Sequence, residues 1–141
     1  MRKNDADCLL FEDIRDFGTL LDALKTHKPQ YIFHLAAQPL VKESYERPLE
    51  TYEANILGAV NLFESVRVLD SEIVVVNMTT DKCYENIEWV WGYRENDRLG
   101  GSDPYSASKA AAEIVFSSYV RSFFEQRPLL GAATTRAGNV I

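Results

Sequence analysis

The sequence predicts an α/β fold in which a doubly wound parallel sheet has helices on both faces. Apolar segments typical of strands alternate along the chain with segments of helical periodicity, which implies right-handed crossovers between parallel strands. Most of the strand segments are apolar without alternation, as in strands buried on both faces. No repeat or linker divides the sequence, so we expect a single domain over residues 1–141.

The first half of the chain contains two predicted strand–helix units. A short apolar run at 8–11 indicates a brief strand. The following segment carries an apolar stripe at helical spacing, formed by Phe17, Leu20, Leu21 and Leu24. Residues 31–35 form the next strand, and a longer helical pattern runs from 48 to 69 with Gly58 as its weak point.

The second half repeats this alternation around a long loop. Residues 73–78 are a third strand, and residues 85–103 form an aromatic and charged segment without periodicity. A loop of this length is more typical of a lid or binding loop than of a tether. Ser102 or Asp103 can cap a helix that begins at Pro104 and runs to about 124, and residues 129–135 form the last strand.

Every predicted strand ends in polar or small residues. Asp13 follows the first strand, Ala36 and Ala37 the second, residues 79–81 the third and residues 136–139 the fourth. The carboxyl ends of parallel strands lie at one edge of a sheet, and in open α/β sheets ligands bind there. We therefore expect one site, built from four loops.

Composition excludes several classes of partner. The apolar fraction of 46% and charged fraction of 26% are typical of a globular protein, and no apolar run approaches the ~18 residues of a membrane helix. The net charge of −6 and the lack of a basic patch argue against nucleic acid. The amino terminus lacks the apolar segment of a signal peptide, so we expect a cytoplasmic location without membrane contact.

Cysteine and histidine spacing indicates no metal site. Cys8 and Cys83 lie far apart and form no CxxC pair, and His27 and His34 add no ligand cluster. No histidine is placed by a sequence signature to activate Cys83 as a nucleophile, so a packed thiol is expected there.

Tyr105 and Lys109 stand four residues apart on one face of the predicted helix. A phenol has an ordinary pKa of about 10, and a neighbouring cation favours its ionised form, which makes a general base near neutral pH. A surface tyrosine beside a solvated lysine is the alternative.

Earlier in the chain, Thr80, Asp81 and Lys82 place a hydroxyl, a carboxylate and an amine in succession at a strand end. Their alternative is a polar loop with a helix cap and an exposed ion pair.

Four motifs carry a resemblance to the extended short-chain dehydrogenase/reductases, which share a Rossmann-like fold. They are HLAAQ at 34–38, TTDKCY at 79–84, PYSASK at 104–109 and RAGNVI at 136–141. Within that family the chain resembles the nucleotide-sugar 4,6-dehydratases. The segment EWVWGYREN at 88–96 is most similar to their CDP-glucose group.

The resemblance implies an internal oxidation, elimination and reduction of a bound sugar nucleotide, with tightly held NAD lending and recovering a hydride. Tyr105 would take the proton of the 4-hydroxyl, while Lys109 would favour the phenolate and hold the nicotinamide ribose. Thr80 would hydrogen-bond the 4-hydroxyl, and Asp81 would protonate the departing 6-hydroxyl. Lys82 occupies the place of the base at carbon 5, where the commoner pattern has Glu and the CDP-glucose group has Lys.

The resemblance also implies a set of binding residues. Asp13 and Ile14 match positions beside adenine, Asn55 matches the family's helix asparagine, and Asn139 matches a position near the substrate's phosphates. Four residues match positions along the dinucleotide: Leu35, Ala36, Ala37 and Gln38. Family members commonly pair through two helices, so a homodimer of the full-length protein would use helices 48–69 and 104–124.

Two parts of the family pattern are missing. The sequence contains no GxxGxxG turn to cradle a pyrophosphate, and it stops before the region that forms the substrate lobe. We therefore expect the central part of a dehydratase, inactive and weak in NAD binding by itself. Two alternatives stay open: a non-catalytic remnant or interaction module, and another extended-family enzyme. Asp81 opposes an epimerase, and residues 88–96 favour CDP-glucose over GDP-mannose; a dTDP-glucose dehydratase is a further possibility.

Overall fold

The computed structural model describes residues 9–139 and confirms an α/β fold with a parallel sheet. Its elements follow in the order α1 (Phe17–His27), β1 (Tyr31–His34), α2 (Val41–Glu46), α3 (Pro48–Tyr52), a π-helical turn (Glu53–Leu57), α4 (Gly58–Val68), β2 (Ile73–Thr80), a 3-10 turn (Asp81–Cys83), α5 (Pro104–Tyr119), a second π-helical turn (Val120–Phe124) and β3 (Leu130–Ala137). The strands pair in the order β1-β2-β3, and both pairs are parallel.

The core lies between the sheet and helices α4 and α5. Ile73 and Val75 of β2 point into it, and Phe63 of α4 meets Phe116 of α5 edge to face, with 5.5 Å between ring centroids. Leu20 and Leu24 of α1 pack against the same cluster, as the apolar stripe predicts. Removing these side chains from water is the main force that holds the layers together.

The opposite face of β1 is open. Tyr31 and Phe33 keep 65% and 63% of their surface exposed, whereas His34 is buried and Ile32 packs against the core. The apolar run at 31–35 predicts a strand covered on both faces. In the described chain β1 is an edge strand, and only the side facing the core is covered.

The predicted helix at 48–69 is confirmed as a nearly continuous helical stretch of α3, a π-helical turn and α4. The widened turn contains Asn55, and such turns are frequent at functional sites. Gly58 follows directly, and a Cβ there would lie 2.7 Å from the side chain of Ile14. The weak point of the helix therefore lets the segment after residue 12 approach it closely.

The helix predicted from Pro104 is confirmed as α5 and the turn that follows it. Asp103, not Ser102, provides the cap, since its Oδ1 accepts from the main-chain N–H of Ser106 at 2.9 Å. The loop predicted after residue 84 is also confirmed. Its one isolated bridge joins Tyr84 to Leu99.

The prediction of a strand at 8–11 is wrong for residues 9–11, which are the ones that the structure describes. Leu9, Leu10 and Phe11 form no strand and are exposed, and Cys8 lies outside the described residues. A run of this length does not form a stable strand unless a neighbouring strand pairs with it.

The sequence analysis also did not predict α2, a short helix of six residues. Within residues 9–139, none of the helices combines the length and apolar character of a bilayer crossing.

Candidate active site

The carboxyl ends of β1, β2 and β3 meet at one edge of the sheet, because all three strands run in the same direction. Helix α5 packs across this edge. Lys109 Nζ donates to the main-chain carbonyl of Met78 at 3.4 Å, two residues before Thr80. The structure thus brings the pair Tyr105 and Lys109 to the strand end that carries Thr80, Asp81 and Lys82.

A groove of about 860 Å³ opens beside the same edge, between residues 10–15 and 36–38. Five of the residues predicted to contact a dinucleotide line it: Asp13, Ile14, Ala36, Ala37 and Gln38. The two alanines leave room for a ligand close to the end of β1. Leu35 is exposed and does not line this groove.

Asp13 is engaged by a neighbour that the sequence did not suggest. Arg15 Nη2 donates to Asp13 Oδ2 at 2.6 Å, and Arg15 Nη1 lies 3.2 Å from Glu53 Oε2. The hydrogen bonds from Arg15 lower the pKa of Asp13 to about 2. The carboxylate is therefore ionised at neutral pH and is already held in place by a guanidinium.

Asn55 joins the loop after β1 to helix α5. Its Oδ1 accepts from the main-chain N–H of Gln38 at 2.8 Å, and its Nδ2 donates to the Gln38 carbonyl at 3.1 Å and to Ser108 Oγ at 2.8 Å. Ser108 in turn donates to the carbonyl of Tyr105 at 2.7 Å. One buried amide therefore fixes the groove wall relative to Tyr105. Sequence reasoning missed Ser108, since only its place inside the PYSASK motif marked it.

Tyr105 and Lys109 are buried, each 9% exposed. Burial lowers the pKa of Lys109, and within residues 9–139 no carboxylate forms a salt bridge with it. His34 is a buried neighbour that sequence reasoning did not connect with this pair. Burial, and then the Lys109 ammonium, lower the pKa of His34 to about 4, so His34 is neutral at pH 7.

In the run of Thr80, Asp81 and Lys82, Thr80 is buried, but the other two residues are more open. The Thr80 hydroxyl donates to Asp81 Oδ1 at 3.1 Å and accepts from the Lys82 main-chain N–H at 3.3 Å. Lys82 Nζ lies 3.6 Å from Asp81 Oδ1 and 3.4 Å from Asn139 Oδ1. The Lys82 and Asp81 side chains remain 41% and 56% exposed. A buried hydroxyl thus lies beside an acid and an amine that face solvent, and Asn139 lies next to the amine.

Cys83 is a packed thiol, as expected. It is buried at the end of the 3-10 turn, and burial raises its pKa to about 11. A protonated, enclosed thiol is a poor nucleophile. Across the part of the chain that the structure describes, no three His, Cys, Asp or Glu side chains come together in a way that could hold a metal ion.

The family model described as GDP-mannose 4,6 dehydratase matches residues 2–127 of the chain. Over its whole length the chain is 50% identical to the CDP-glucose 4,6-dehydratase of Salmonella typhimurium, of which it covers 40%. It is 29% identical to the CDP-paratose 2-epimerase of Salmonella typhi, over 79% of this chain and 37% of that protein. The chain thus spans about two fifths of the length of these curated relatives.

Solved structures show the same fold. The dTDP-glucose 4,6-dehydratase of Streptomyces venezuelae, solved with NAD bound, superposes with a TM-score of 0.79 at 30% identity and covers 94% of this chain and 39% of its own. The UDP-glucose 4-epimerase of Brucella ovis, also in complex with NAD, has a TM-score of 0.79 at 23% identity, over 92% of this chain and 38% of its own. The second likeness concerns the fold alone.

Proposed function

The chain belongs to the GDP-mannose 4,6 dehydratase family, and from that premise we propose that it carries the reaction centre of a nucleotide-sugar 4,6-dehydratase. The proposed reaction is the conversion of CDP-glucose to CDP-4-keto-6-deoxyglucose, with loss of water. The observation that carries it is the meeting of the buried pair Tyr105 and Lys109 with Thr80, Asp81 and Lys82 at one strand end. The 50% identity to a CDP-glucose 4,6-dehydratase supports the choice of CDP-glucose.

NAD is the cofactor we propose, and the groove beside β1 supports it. The groove is large enough for an elongated ligand, and its wall at Ala36 and Ala37 admits close approach. The ionised Asp13 carboxylate suits the adenine amino group, and Lys109 would hold the nicotinamide ribose. Bound NAD would supply the hydride acceptor and donor, so the reaction would need no external oxidant.

Each remaining side chain would move or hold a proton. Tyr105 would act as the general base that takes the proton of the 4-hydroxyl, while Thr80 hydrogen-bonds that oxygen. Lys82 would remove the proton on carbon 5, and Asp81 would give its proton to the 6-hydroxyl, which leaves as water. The adjacency of Asp81 and Lys82, 3.6 Å apart, supports their acting on neighbouring carbons of one sugar.

A chimera tests this proposal. We would replace the matching segment of the Salmonella typhimurium enzyme, 40% of its length, by the present 141 residues and supply CDP-glucose and NAD. We expect the 4-keto-6-deoxy product, because the chimera restores the parts of the enzyme that this chain does not span. The measurement is product formation by mass spectrometry and NMR.

Two variants of the chimera assign the roles. Tyr105→Phe should abolish turnover because no base remains for the 4-hydroxyl. Lys82→Met should block elimination but leave oxidation at carbon 4, so reduced cofactor should accumulate when CDP-glucose is added. A folded chimera that forms only an epimerised sugar, or no product, would refute the dehydratase proposal. Unimpaired product from Lys82→Met would exclude Lys82 as the base.

We also propose that the full-length protein is a cytoplasmic homodimer that works in deoxysugar biosynthesis, with residues 1–141 forming a single domain. Exposed apolar side chains on the two helical stretches support the dimer: Leu49, Leu57 and Ile114. Sedimentation of the full-length protein as a monomer at micromolar concentration would exclude it.

A further inference from the structure

Glu113 and Arg136 form the most buried ion pair of the described chain, outside the residues to which a role has been given so far. Arg136 Nη2 lies 2.9 Å from Glu113 Oε2, and their side chains are 15% and 3% exposed. Glu113 lies on α5, one turn beyond Lys109, and Arg136 lies at the end of β3. A buried pair of this kind must be fully hydrogen-bonded to avoid a large desolvation penalty.

Both oxygens of the Glu113 carboxylate have partners. Oε1 accepts from the Thr79 hydroxyl and, at 2.7 Å, from the Thr134 hydroxyl, while Oε2 accepts from Arg136. Burial raises the pKa of Glu113, but the hydrogen bonds from Arg136, Thr79 and Thr134 outweigh it and lower the pKa overall. One ionised carboxylate thereby joins α5 to the ends of β2 and β3.

Arg136 extends the network into the loop 84–103. Its Nη1 donates to the Tyr84 hydroxyl and to the Glu95 carbonyl, both at 2.8 Å, and its guanidinium lies 4.8 Å from the centroid of the Tyr84 ring. Tyr84 stacks on Tyr93 with 5.2 Å between centroids, and Trp89 packs on Tyr93 at 5.5 Å. A single guanidinium therefore contacts both arms of the loop.

The same pair holds the polar run on both sides. Thr79, which precedes Thr80, bonds to Glu113, and Tyr84, which follows the 3-10 turn, bonds to Arg136. Between these two points the side chains of Asp81 and Lys82 are exposed. Asp81 accepts from the Thr80 hydroxyl, and Lys82 Nζ lies near Asp81 and Asn139. Both sides of the turn thus attach to one ion pair, in addition to the hydrogen bond that the Cys83 carbonyl accepts from the Gly100 N–H.

We propose that Glu113 and Arg136 are positioning residues that hold the turn 80–83 and the loop 84–103 in place against helix α5. The role needs a planar guanidinium, because Arg136 donates in three directions and also stacks on an aromatic ring, which a lysine ammonium cannot reproduce. The effect of this positioning on catalysis rests on the proposed function, whereas the anchoring of the loop does not depend on it.

The two tryptophans of the sequence, Trp89 and Trp91, both lie in this loop, so tryptophan fluorescence reports on it alone. We would compare Arg136→Lys with Arg67→Lys in the 141-residue chain. Arg67 is a matched control because it also pairs with a glutamate, Glu64, and lies over an aromatic ring, Phe123, on a distant part of the surface. Far-ultraviolet circular dichroism monitors the fold.

Arg136→Lys should raise acrylamide quenching of tryptophan and speed tryptic cleavage at Arg94 and Arg98 several-fold, with unchanged circular dichroism. Arg67→Lys should change neither. Quenching and cleavage rates in Arg136→Lys that equal those of the unaltered chain would overturn the proposal. If Arg136→Lys does not fold, Tyr84→Leu provides the test. Faster quenching and cleavage with unchanged circular dichroism would support the anchoring, and unchanged quenching and cleavage would refute it.

The chimera provides a second readout. Arg136→Lys should there slow elimination more than oxidation, so that reduced cofactor accumulates after CDP-glucose is added, as expected for Lys82→Met. Oxidation and elimination slowed to the same extent would contradict a role in placing the turn. If the unaltered chimera has no dehydratase activity, the proposed function fails, while the fluorescence comparison still tests the anchoring.

Discussion

Two lysines at the same strand end lie in opposite environments. Lys109 is buried, contacts a main-chain carbonyl and has its pKa lowered by burial, whereas the side chain of Lys82 is 41% exposed and lies in a shallow cluster with Asp81 and Asn139. Around Lys109 the chain supplies a buried network from Asn55 through Ser108 to Tyr105. The half of the site that we assign to the hydride step is therefore built in advance.

The half that we assign to elimination is arranged differently. We infer that its backbone is held from outside, by the pair of Glu113 and Arg136, while the side chains of Asp81 and Lys82 face solvent. An exposed ammonium acts as a base near neutral pH only when burial or another cation disfavours its charge. The two halves therefore differ in enclosure: the chain itself covers Tyr105 and Lys109, whereas the side chains of Asp81 and Lys82 are open to solvent.

The largest effect expected from this contrast is a pH dependence at His34. Its folded pKa of about 4 is below the ordinary 6.5, so its contribution to stability is present above pH 6.5 and is lost as the pH falls towards 4. The loss should reach about 3 kcal/mol. His34→Gln should remove that part of the pH dependence, measured by urea unfolding between pH 4 and 7.

His27 is the matched control, since it is the other histidine of the sequence and lies exposed at the end of α1. We expect the substitution of the buried His34 to flatten the pH dependence of the free energy of unfolding more than the substitution of His27. If His34→Gln retains the full slope, the assignment of a buried neutral imidazole beside Lys109 is wrong.

A smaller effect is expected from Asn55. Asn55→Ala removes three hydrogen bonds in a buried network and should lower the free energy of unfolding by about 2 to 3 kcal/mol. Asn61→Ala removes two bonds to the carbonyls of Ile14 and Arg15 near the surface and should cost about 1 kcal/mol. Urea unfolding measures both. Equal costs would show that burial does not distinguish the two networks.

The smallest effects are expected from the lysines themselves. Lys109→Met should leave stability unchanged or raise it by on the order of 1 kcal/mol, because a buried ammonium that has no carboxylate partner among residues 9–139 is costly. Lys82→Met should change it by less than about 0.5 kcal/mol, as at other exposed sites. Thermal unfolding of the two variants provides the comparison. A loss of stability in Lys109→Met would indicate that Lys109 supports the fold, not chemistry alone.

Local patterns in the sequence determined much of the architecture. The apolar stripe of α1, the cap and proline that begin α5 and the apolar run of β2 act over a few residues, so each was readable before any tertiary contact was known. The parallel order of the strands then placed their polar ends, including Thr80 and the pair Ala36 and Ala37, at one edge. The location of the candidate site residues at this edge therefore followed from local sequence patterns.

Tertiary structure decided which groups surround that chemistry. Ser108 meets Asn55 across 53 positions of sequence, and Glu113 meets Thr79 across 34 and Arg136 across 23, separations at which periodicity carries no information. The apolar run at 9–11 looked like a strand but found no partner, and Phe33 looked buried but lies exposed on an edge strand. Burial and pairing depend on which elements pack together, and the folded chain alone specifies that.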